Sequence, residues 1–308
     1  MDSVAMMIAT VIKKKMEIFR LKGLEEDQCL QLLKSHAFAD VENPNDYKRL
    51  RSIAGERVKK AFRISIGSKV KMWIALGFIQ QPHDQEWTME GIGGMYFDVL
   101  VKKSFFDKFG DSGRYYTMHD LIHEMAQSIS IHECLGVEDG TKLLFIIPKT
   151  LRHLSVETTN PNIFKKIGQF KYLHSLILFY GTLNQDLCNA LIEIFKASRS
   201  LRLLFICASA GLGMILEEIE NLIHLRYLEL DSKKFTILPR SLSNLYHLQY
   251  IINHTLGGLK RPEVDDFLPS DINNLSNLRY VKLPENFISS ICGIRRLKSL
   301  QELNTFDL

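Results

Sequence analysis

The feature that most constrains this chain is the spacing of leucine after residue 150. The pattern Leu-x-x-Leu-x-Leu occurs as Leu225, Leu228 and Leu230, and in close variants as Leu201, Leu204 and Ile206, Leu248 and Ile251, Leu278, Val281 and Leu283, and Leu300 and Leu303. The first leucines stand 24, 23, 30 and 22 residues apart, with an insertion between Leu256 and Phe267. Alternation inside each unit is the signature of a strand with one buried face. A unit of about 20–29 residues cannot enclose a core alone, so such units must stack on their neighbours. The frame repeats outside the strands as well: Leu238-Pro239, Asn244-Leu245, Leu248 and Tyr250 return as Leu268-Pro269, Asn274-Leu275, Leu278 and Tyr280. Ile219, Asn221-Leu222, Leu225 and Tyr227 echo it. Recurrent proline at a fixed place argues against a helical bundle. Two looser units, Leu151-Leu154-Val156 and Leu173-Leu176-Leu178, begin the stack.

The fold class that follows is an α/β leucine-rich-repeat solenoid preceded by a mainly α region. Stacking turns sequence positions into columns on a concave parallel sheet. One column reads Ser175, Leu203, Tyr227, Tyr250, Tyr280 and Glu302, and a second reads Ile177, Phe205, Glu229, Ile252, Lys282 and Asn304. Tyrosine buries area at low entropic cost and keeps a polar tip. Tyr227, Tyr250, Tyr280, Phe205, Glu229 and Lys282 are therefore the candidate partner-binding residues, the alternative being a purely structural aromatic ladder. On the first reading, Tyr227→Ala and Tyr250→Ala are expected to weaken a partner and leave thermal stability nearly unchanged.

The first half reads as helices followed by one hairpin. Leu21, Leu24, Cys29, Leu30, Leu32, Leu33 and Phe38 form a rough helical stripe with Glu25-Glu26-Asp27 at its start, where acidic residues suit the dipole. Val70 to Ile79 make a second apolar helix around Trp73, and Met89 to Val101 a third. Ser104 to Phe109 and Arg114 to Met118 flank Gly110-Asp111-Ser112-Gly113, a hairpin with a four-residue turn. Helices running into such a wing predict a winged-helix module. The expected organisation is residues 1–62 as a helical remnant, 63–132 as the winged helix, 133–150 as a linker and 151–308 as the repeats.

Thirty-nine Lys and Arg face 35 Asp and Glu, a net charge of +4 without a basic run, so nucleic acid is not an expected partner. Lys69, Lys71, Lys102 and Lys103 on or near the winged-helix helices are read as a solvated face. The five cysteines are odd in number and widely spaced, which fits a reducing, cytoplasmic setting without a disulfide framework or a Cys-x-x-Cys metal pair. The apolar run Val4 to Ile12 is too short to span a bilayer and carries its charges on the wrong side for a signal peptide.

The stretch Met118-His119-Asp120 closes the wing and opens an amphipathic helix whose apolar positions are Met118, Leu121, Ile122, Met125, Ala126 and Ile129. A histidine in a first helical turn can add a donor to a phosphate held by unpaired N–H groups. Thr117 and Asp120 also have the spacing of a capping box, which needs no ligand. His119 and His123 stand four apart, but Asp120 replaces the glutamate that a zinc hydrolase places there and no third ligand follows. No metal and no catalytic residue are expected. Gly91-x-Gly93-Gly94 lacks the spacing of a dinucleotide loop and is read as opening the helix around Tyr96. No Gly-x-Ser-x-Gly elbow occurs.

Met118-His119-Asp120 after a wing, Met72-Trp73-Ile74-Ala75-Leu76-Gly77-Phe78-Ile79, Ser104-Phe105-Phe106, and Leu24-Glu25-Glu26-Asp27-Gln28-Cys29 with Ala37-Phe38 together resemble plant intracellular disease-resistance proteins of the nucleotide-binding, leucine-rich-repeat family. The resemblance implies a non-enzymatic switch in which ADP holds the receptor closed and ATP opens it. His119 would look toward the β-phosphate of ADP, with Met118 and Asp120 setting its geometry. The repeats would autoinhibit the switch and recognise a pathogen effector, a guarded host protein or a full-length receptor. A leucine-rich-repeat adaptor that presents a bound protein to another complex is the alternative. No Gly-x-x-x-x-Gly-Lys-Ser/Thr occurs, and no Gly-Leu-Pro-Leu stands near Lys60 to Arg63, so the chain reads as truncated, starting inside the nucleotide-binding part. One histidine supplying ~1.5–3 kcal/mol cannot reach the about 8 kcal/mol of micromolar affinity. No cofactor is therefore expected for the isolated chain.

Overall fold

A computed structural model describes residues 64–81, 87–109, 115–119, 122–123, 126, 130, 132–138, 149–158, 171–183, 185–210, 212–232, 238–254, 271–284, 288 and 294–306. The expected helical remnant at 1–62 lies outside these residues. Strand β1 (Ile64–Ser65) leads into α1 (Ile66–Leu76), followed by α2 (Met89–Lys102) and the hairpin β2 (Phe106–Phe109) and β3 (Tyr115–Met118). The sheet order is β1-β3-β2, both pairs antiparallel, with Phe106 opposite Met118 and Ile64 opposite Tyr116. These are the parts of a winged helix, β2 and β3 being the wing.

Its core is aromatic. Phe97 of α2 is fully buried, stacked on Phe106 at 5.1 Å, edge-on to Tyr116 at 5.1 Å and tilted against Trp73 at 6.0 Å. Offset and edge-to-face pairs satisfy the ring quadrupoles as they exclude water. Thr88 caps α2, its Oγ1 accepting from Gly91 N at 3.1 Å. The helix therefore starts at Met89, as the apolar run over Met89 to Val101 predicts, and carries Gly91, Gly93 and Gly94 inside it. A Cβ on Gly93 would stand 2.5 Å from Val70 Cγ1 and 2.7 Å from Ile79 Cδ1, so α2 uses Gly93 to approach α1.

Helix α1 ends in a Schellman motif. Gly77 has φ +86°, its N–H donates to Ile74 O at 3.0 Å, and Phe78 N donates to Trp73 O at 2.9 Å. A residue with a side chain is strained at that φ, which accounts for the glycine in Ala75-Leu76-Gly77-Phe78. The cap turns Phe78 and Ile79 back along the domain.

The second sheet has eight strands, every neighbouring pair parallel: β4 (Cys134–Glu138), β5 (His153–Glu157), β6 (Ser175–Thr182), β7 (Leu203–Ala210), β8 (Tyr227–Ser232), β9 (Tyr250–Asn253), β10 (Tyr280–Pro284) and β11 (Glu302–Phe306), in that order. The expected linker thus contributes the first rung, β4, against β5. With Leu135 as its one leucine, opposite Leu154, the rung does not stand out in the sequence.

Leucines of the pattern fill one core: Leu154, Leu176, Leu178, Leu204, Leu228, Leu230, Ile251, Val281 and Leu283 are at most 1% exposed. One interval is long enough for α3 (Gln185–Ala197), which buries Leu187, Leu191, Ile194 and Phe195 on the convex side. The intervals of 22 and 23 residues leave no room for that. There the return path is a tight turn, Arg240–Asn244 or Ile294–Arg296, with Leu245 N on Leu242 O and Leu248 N on Leu245 O, repeated at Leu297 and Leu300. Pro239, extended at ψ 149°, enters the first of these turns, which is the work of the recurrent Leu-Pro.

Candidate functional site

The register brings His153, Ser175, Leu203, Tyr227, Tyr250, Tyr280 and Glu302 into one row across the strands. The tyrosine column exists, but it is not open. Tyr227 and Tyr250 are 0% exposed and Tyr280 is 8% exposed, because the winged helix lies over them. The expectation that Tyr227→Ala and Tyr250→Ala would spare stability assumed a solvated ladder. The structure overturns that assumption.

Three groups of the winged helix make the contact. Glu90, in the first turn of α2, is the first. Its Oε1 accepts from Arg279 Nε at 2.9 Å and from the Tyr250 hydroxyl at 2.9 Å, and its Oε2 accepts from Arg279 Nη2 at 2.7 Å. With its amide nitrogen toward Glu90, Gln301 donates to Oε2 at 2.9 Å and accepts from Arg279 Nη2 at 2.7 Å. This is a bidentate, charge-assisted pair, and the helix dipole adds to it. Burial pushes the Glu90 carboxyl up, but the hydrogen bonds and charge of Arg279 outweigh it and hold the group below the usual carboxylate range. Burial likewise pulls the Arg279 guanidinium down, and Glu90 more than restores it.

Lys71 of α1 is the second, its Nζ 3.3 Å from the centre of the Tyr280 ring and 3.6 Å from Glu302 Oε2. Burial lowers its affinity for the proton, with Glu302, Glu90 and Glu229 acting against that. Lys71 is thus not on a solvated face, and neither is Lys69, which is 6% exposed with Nζ 4.2 Å from the Phe106 ring centre. Only Lys102 of the four is exposed, Lys103 being half-buried.

The capped end of α1 is the third. Arg202 Nη1 donates to Leu76 O at 3.1 Å, taking up a carbonyl that the helix end leaves over. Phe78 packs beside His153 at 6.1 Å between ring centres. His153 in turn shares a hydrogen bond of 2.9 Å with Ser175 Oγ.

Between these contacts the Tyr227 hydroxyl donates to Glu229 Oε2, and Glu229 Oε1 lies 2.9 Å from His254 Nε2. Burial, then the charge of Glu229, push the Tyr227 phenol well up, and the Tyr250 phenol rises through burial and Glu90. Both are therefore hydrogen-bond donors. Phe205 is buried beside Phe179 at 5.5 Å, Glu229 is buried and Lys282 is half-exposed.

The Met-His-Asp stretch lies elsewhere. Met118 ends β3, and His119 is exposed, its N–H donating to Phe105 O at 3.0 Å and its carbonyl accepting from His123 N at 2.9 Å. His119 therefore starts the following helix as well as closing the wing. Asp120 lies outside the described residues. Among the described residues, no group of three or more His, Cys, Asp or Glu could hold a metal ion, and no helix is long and apolar enough to cross a membrane.

Sequence reasoning missed Glu90, Lys71, Arg202, Arg279 and Gln301. A signal existed for the last three: Arg202, Arg226, Gln249, Arg279 and Gln301 each precede a strand-opening position, a column as regular as that of the tyrosines. Glu90 and Lys71 carry no such periodic mark.

Two family profiles match the chain. One, described as the winged-helix domain of disease resistance proteins, covers residues 59–126, and one described as a leucine-rich repeat region covers residues 195–308. The disease resistance RPP13-like protein 1 of Arabidopsis thaliana is 31% identical over 190 residues, 59% of this chain and 18% of that protein. The Arabidopsis disease resistance protein At3g14460 is 28% identical over 193 residues, 59% of this chain and 13% of that protein. Disease resistance protein RFL1 of the same plant is 25% identical over 254 residues, covering 80% of this chain and 28% of that protein. The chain spans between an eighth and under a third of the length of these relatives.

Proposed function

Because the chain belongs to the plant disease-resistance proteins that carry this winged helix and leucine-rich repeats, we propose that it serves innate immune defence as a receptor part in which the repeats latch the winged helix until a protein partner competes for the same concave face. The observation that carries this reading is the Glu90–Arg279 pair with Tyr250 on the same carboxylate. It ties the start of α2 to strands β9 and β10, where an aromatic column suited to protein recognition lies covered. A competing partner needs an acidic group for Arg279 and apolar surface for the tyrosines. A pathogen effector, a guarded host protein and a full-length receptor of the family are the candidate classes, met in the cytoplasm.

Nucleotide control enters through Met118, His119 and Asp120. His119 sits exposed where the wing ends and the next helix begins, a position from which its imidazole reaches a phosphate presented by a nucleotide-binding domain. ADP would then hold the wing in place, and exchange for ATP would release it together with the latch.

A double-mutant cycle tests the latch. Glu90→Gln and Arg279→Gln should each raise hydrogen–deuterium exchange in residues 66–76 and in strands β8 to β10. The two changes together should cost less than their sum by about 1–3 kcal/mol in urea unfolding. Additivity within about 0.5 kcal/mol, with unchanged exchange, overturns it.

A further inference from the structure

The residue before each strand forms a second ladder, at the rim of the concave face. Arg152, His174, Arg202, Arg226, Gln249 and Arg279 precede strand positions that stand in register. Their backbones fix the spacing: each carbonyl accepts two N–H groups from the next rung, as Arg202 and Leu203 donate to His174 O at 2.8 and 3.0 Å, and Arg226 and Tyr227 to Arg202 O at 2.8 and 3.0 Å. At about 4.8 Å per rung, Arg152 to Arg226 puts three guanidiniums and an imidazole within about 15 Å.

Arg279 spends its charge on Glu90. The others have no such counterion: among the described residues, no ion pair involves Arg152, Arg202 or Arg226. Arg152 Nη1 instead faces His174 Nε2 at 3.3 Å, and Arg202 commits one of its five donors to Leu76 O. Burial and then the charges of Arg226 and Arg152 act against the Arg202 cation, and burial with Arg202 and Arg152 holds His174 down to about 4. Beside Arg226, the rings of His224 and His247 lie 5.7 Å apart, with the exposed Tyr246 4.5 Å from His247.

Like charges crowded at a half-buried edge are costly unless an anion joins them. Guanidinium is the side chain best matched to phosphate, through paired N–H donors. Acidic side chains on one face of an extended peptide recur every ~6.7 Å and fall out of step with rungs ~4.8 Å apart. A ligand with several phosphates close together does not have that mismatch. We propose that Arg152, His174, Arg202 and Arg226 form a binding site for a compact, multiply phosphorylated small molecule.

The test is calorimetric titration of the full chain with inorganic tripolyphosphate at low salt, with poly-glutamate and a uridine oligonucleotide as rival anions. Saturable one-to-one binding in the range of ~10–100 µM is expected, weakening about tenfold in R152Q and in R226Q. K196Q removes an equal charge from the exposed convex helix α3 and should change affinity less than about twofold. Tripolyphosphate should also raise the titration midpoint of the His174 ring signal in proton NMR, a readout that needs no variant to fold. Absence of saturable binding at millimolar tripolyphosphate, affinity in the two arginine variants unchanged from that of the original chain, an unmoved His174 midpoint, or tighter binding of either polymer overturns the proposal.

Discussion

Gly93 and Gly94 are neighbours in α2, yet substitution should move stability in opposite directions. A methyl on Gly93 meets Val70 Cγ1 at 2.5 Å, on a stiff β-branched side chain, and Ile79 Cδ1 at 2.7 Å. A methyl on Gly94 meets nothing within 4 Å. Alanine favours the helix interior by about 0.5–1 kcal/mol over glycine at either place. At Gly93 that gain is set against overpacking of about 1–3 kcal/mol. G93A should therefore lower the urea unfolding free energy and G94A should raise it by about 0.5–1 kcal/mol. Equal effects at the two positions would show that α1 and α2 do not approach as closely as Gly93 permits. The sequence displays three glycines in four positions without saying which one is a contact, since contact depends on a partner helix some twenty residues away.

At the scale of elements, strands β5 and β6 carry a proton-linked weakness. His153 is buried between Phe78, Ser175 and His174, and burial first, then the positive neighbours His174, Arg152 and Arg202, bring it down to about 3. Unfolded, a histidine takes up its proton near pH 6.5. Between these two values the unfolded chain binds more protons, so stability falls as pH drops below about 6.5, by up to about 1.4 kcal/mol per unit for this one group. His174, brought down to about 4, adds to the slope in the same direction. Urea midpoints measured from pH 7 to 5 should decline, and H153Q should decline less steeply. An unchanged slope would mean that His153 is solvated when folded. The rungs themselves were legible because leucine alternation and burial are local to each strand. Rung β4, Cys134–Glu138, escaped notice because only Leu135 keeps the pattern, opposite Leu154, while His132 and Val137 stand where other units carry their first and last leucines. The wing was legible from Gly110 to Gly113 between two aromatic runs, whereas the helix read over Val70 to Ile79 begins at Ile66 and stops at Leu76, where Gly77 takes up its positive φ.

At the scale of the whole molecule, what the sequence hid is that its two recognisable parts share one face. Tyrosines at successive rungs look the same in a sequence whether they await a foreign protein or cover themselves with the chain's own helices, because column position specifies direction and not occupancy. Closure changes the energetic meaning of each side chain. Tyr227 lies under α1, with Ser68 also hydrogen-bonded to it, and donates to the buried Glu229 carboxylate. Removing its ring would open a cavity against the core and leave Glu229 short of a donor. Truncating a large buried aromatic costs about 3–5 kcal/mol, and an unsatisfied buried carboxylate adds to that. Tyr246 offers the internal comparison, being a tyrosine of the same solenoid that is 54% exposed on the rim, where substitution should stay within about 0.5 kcal/mol. Y227A should thus lower the urea unfolding free energy several kcal/mol more than Y246A, and Y227F should fall between them, keeping the packing while losing the bond to Glu229. If Y227A costs no more than Y246A, the concave face is open in solution and the tyrosine column is a free binding surface after all.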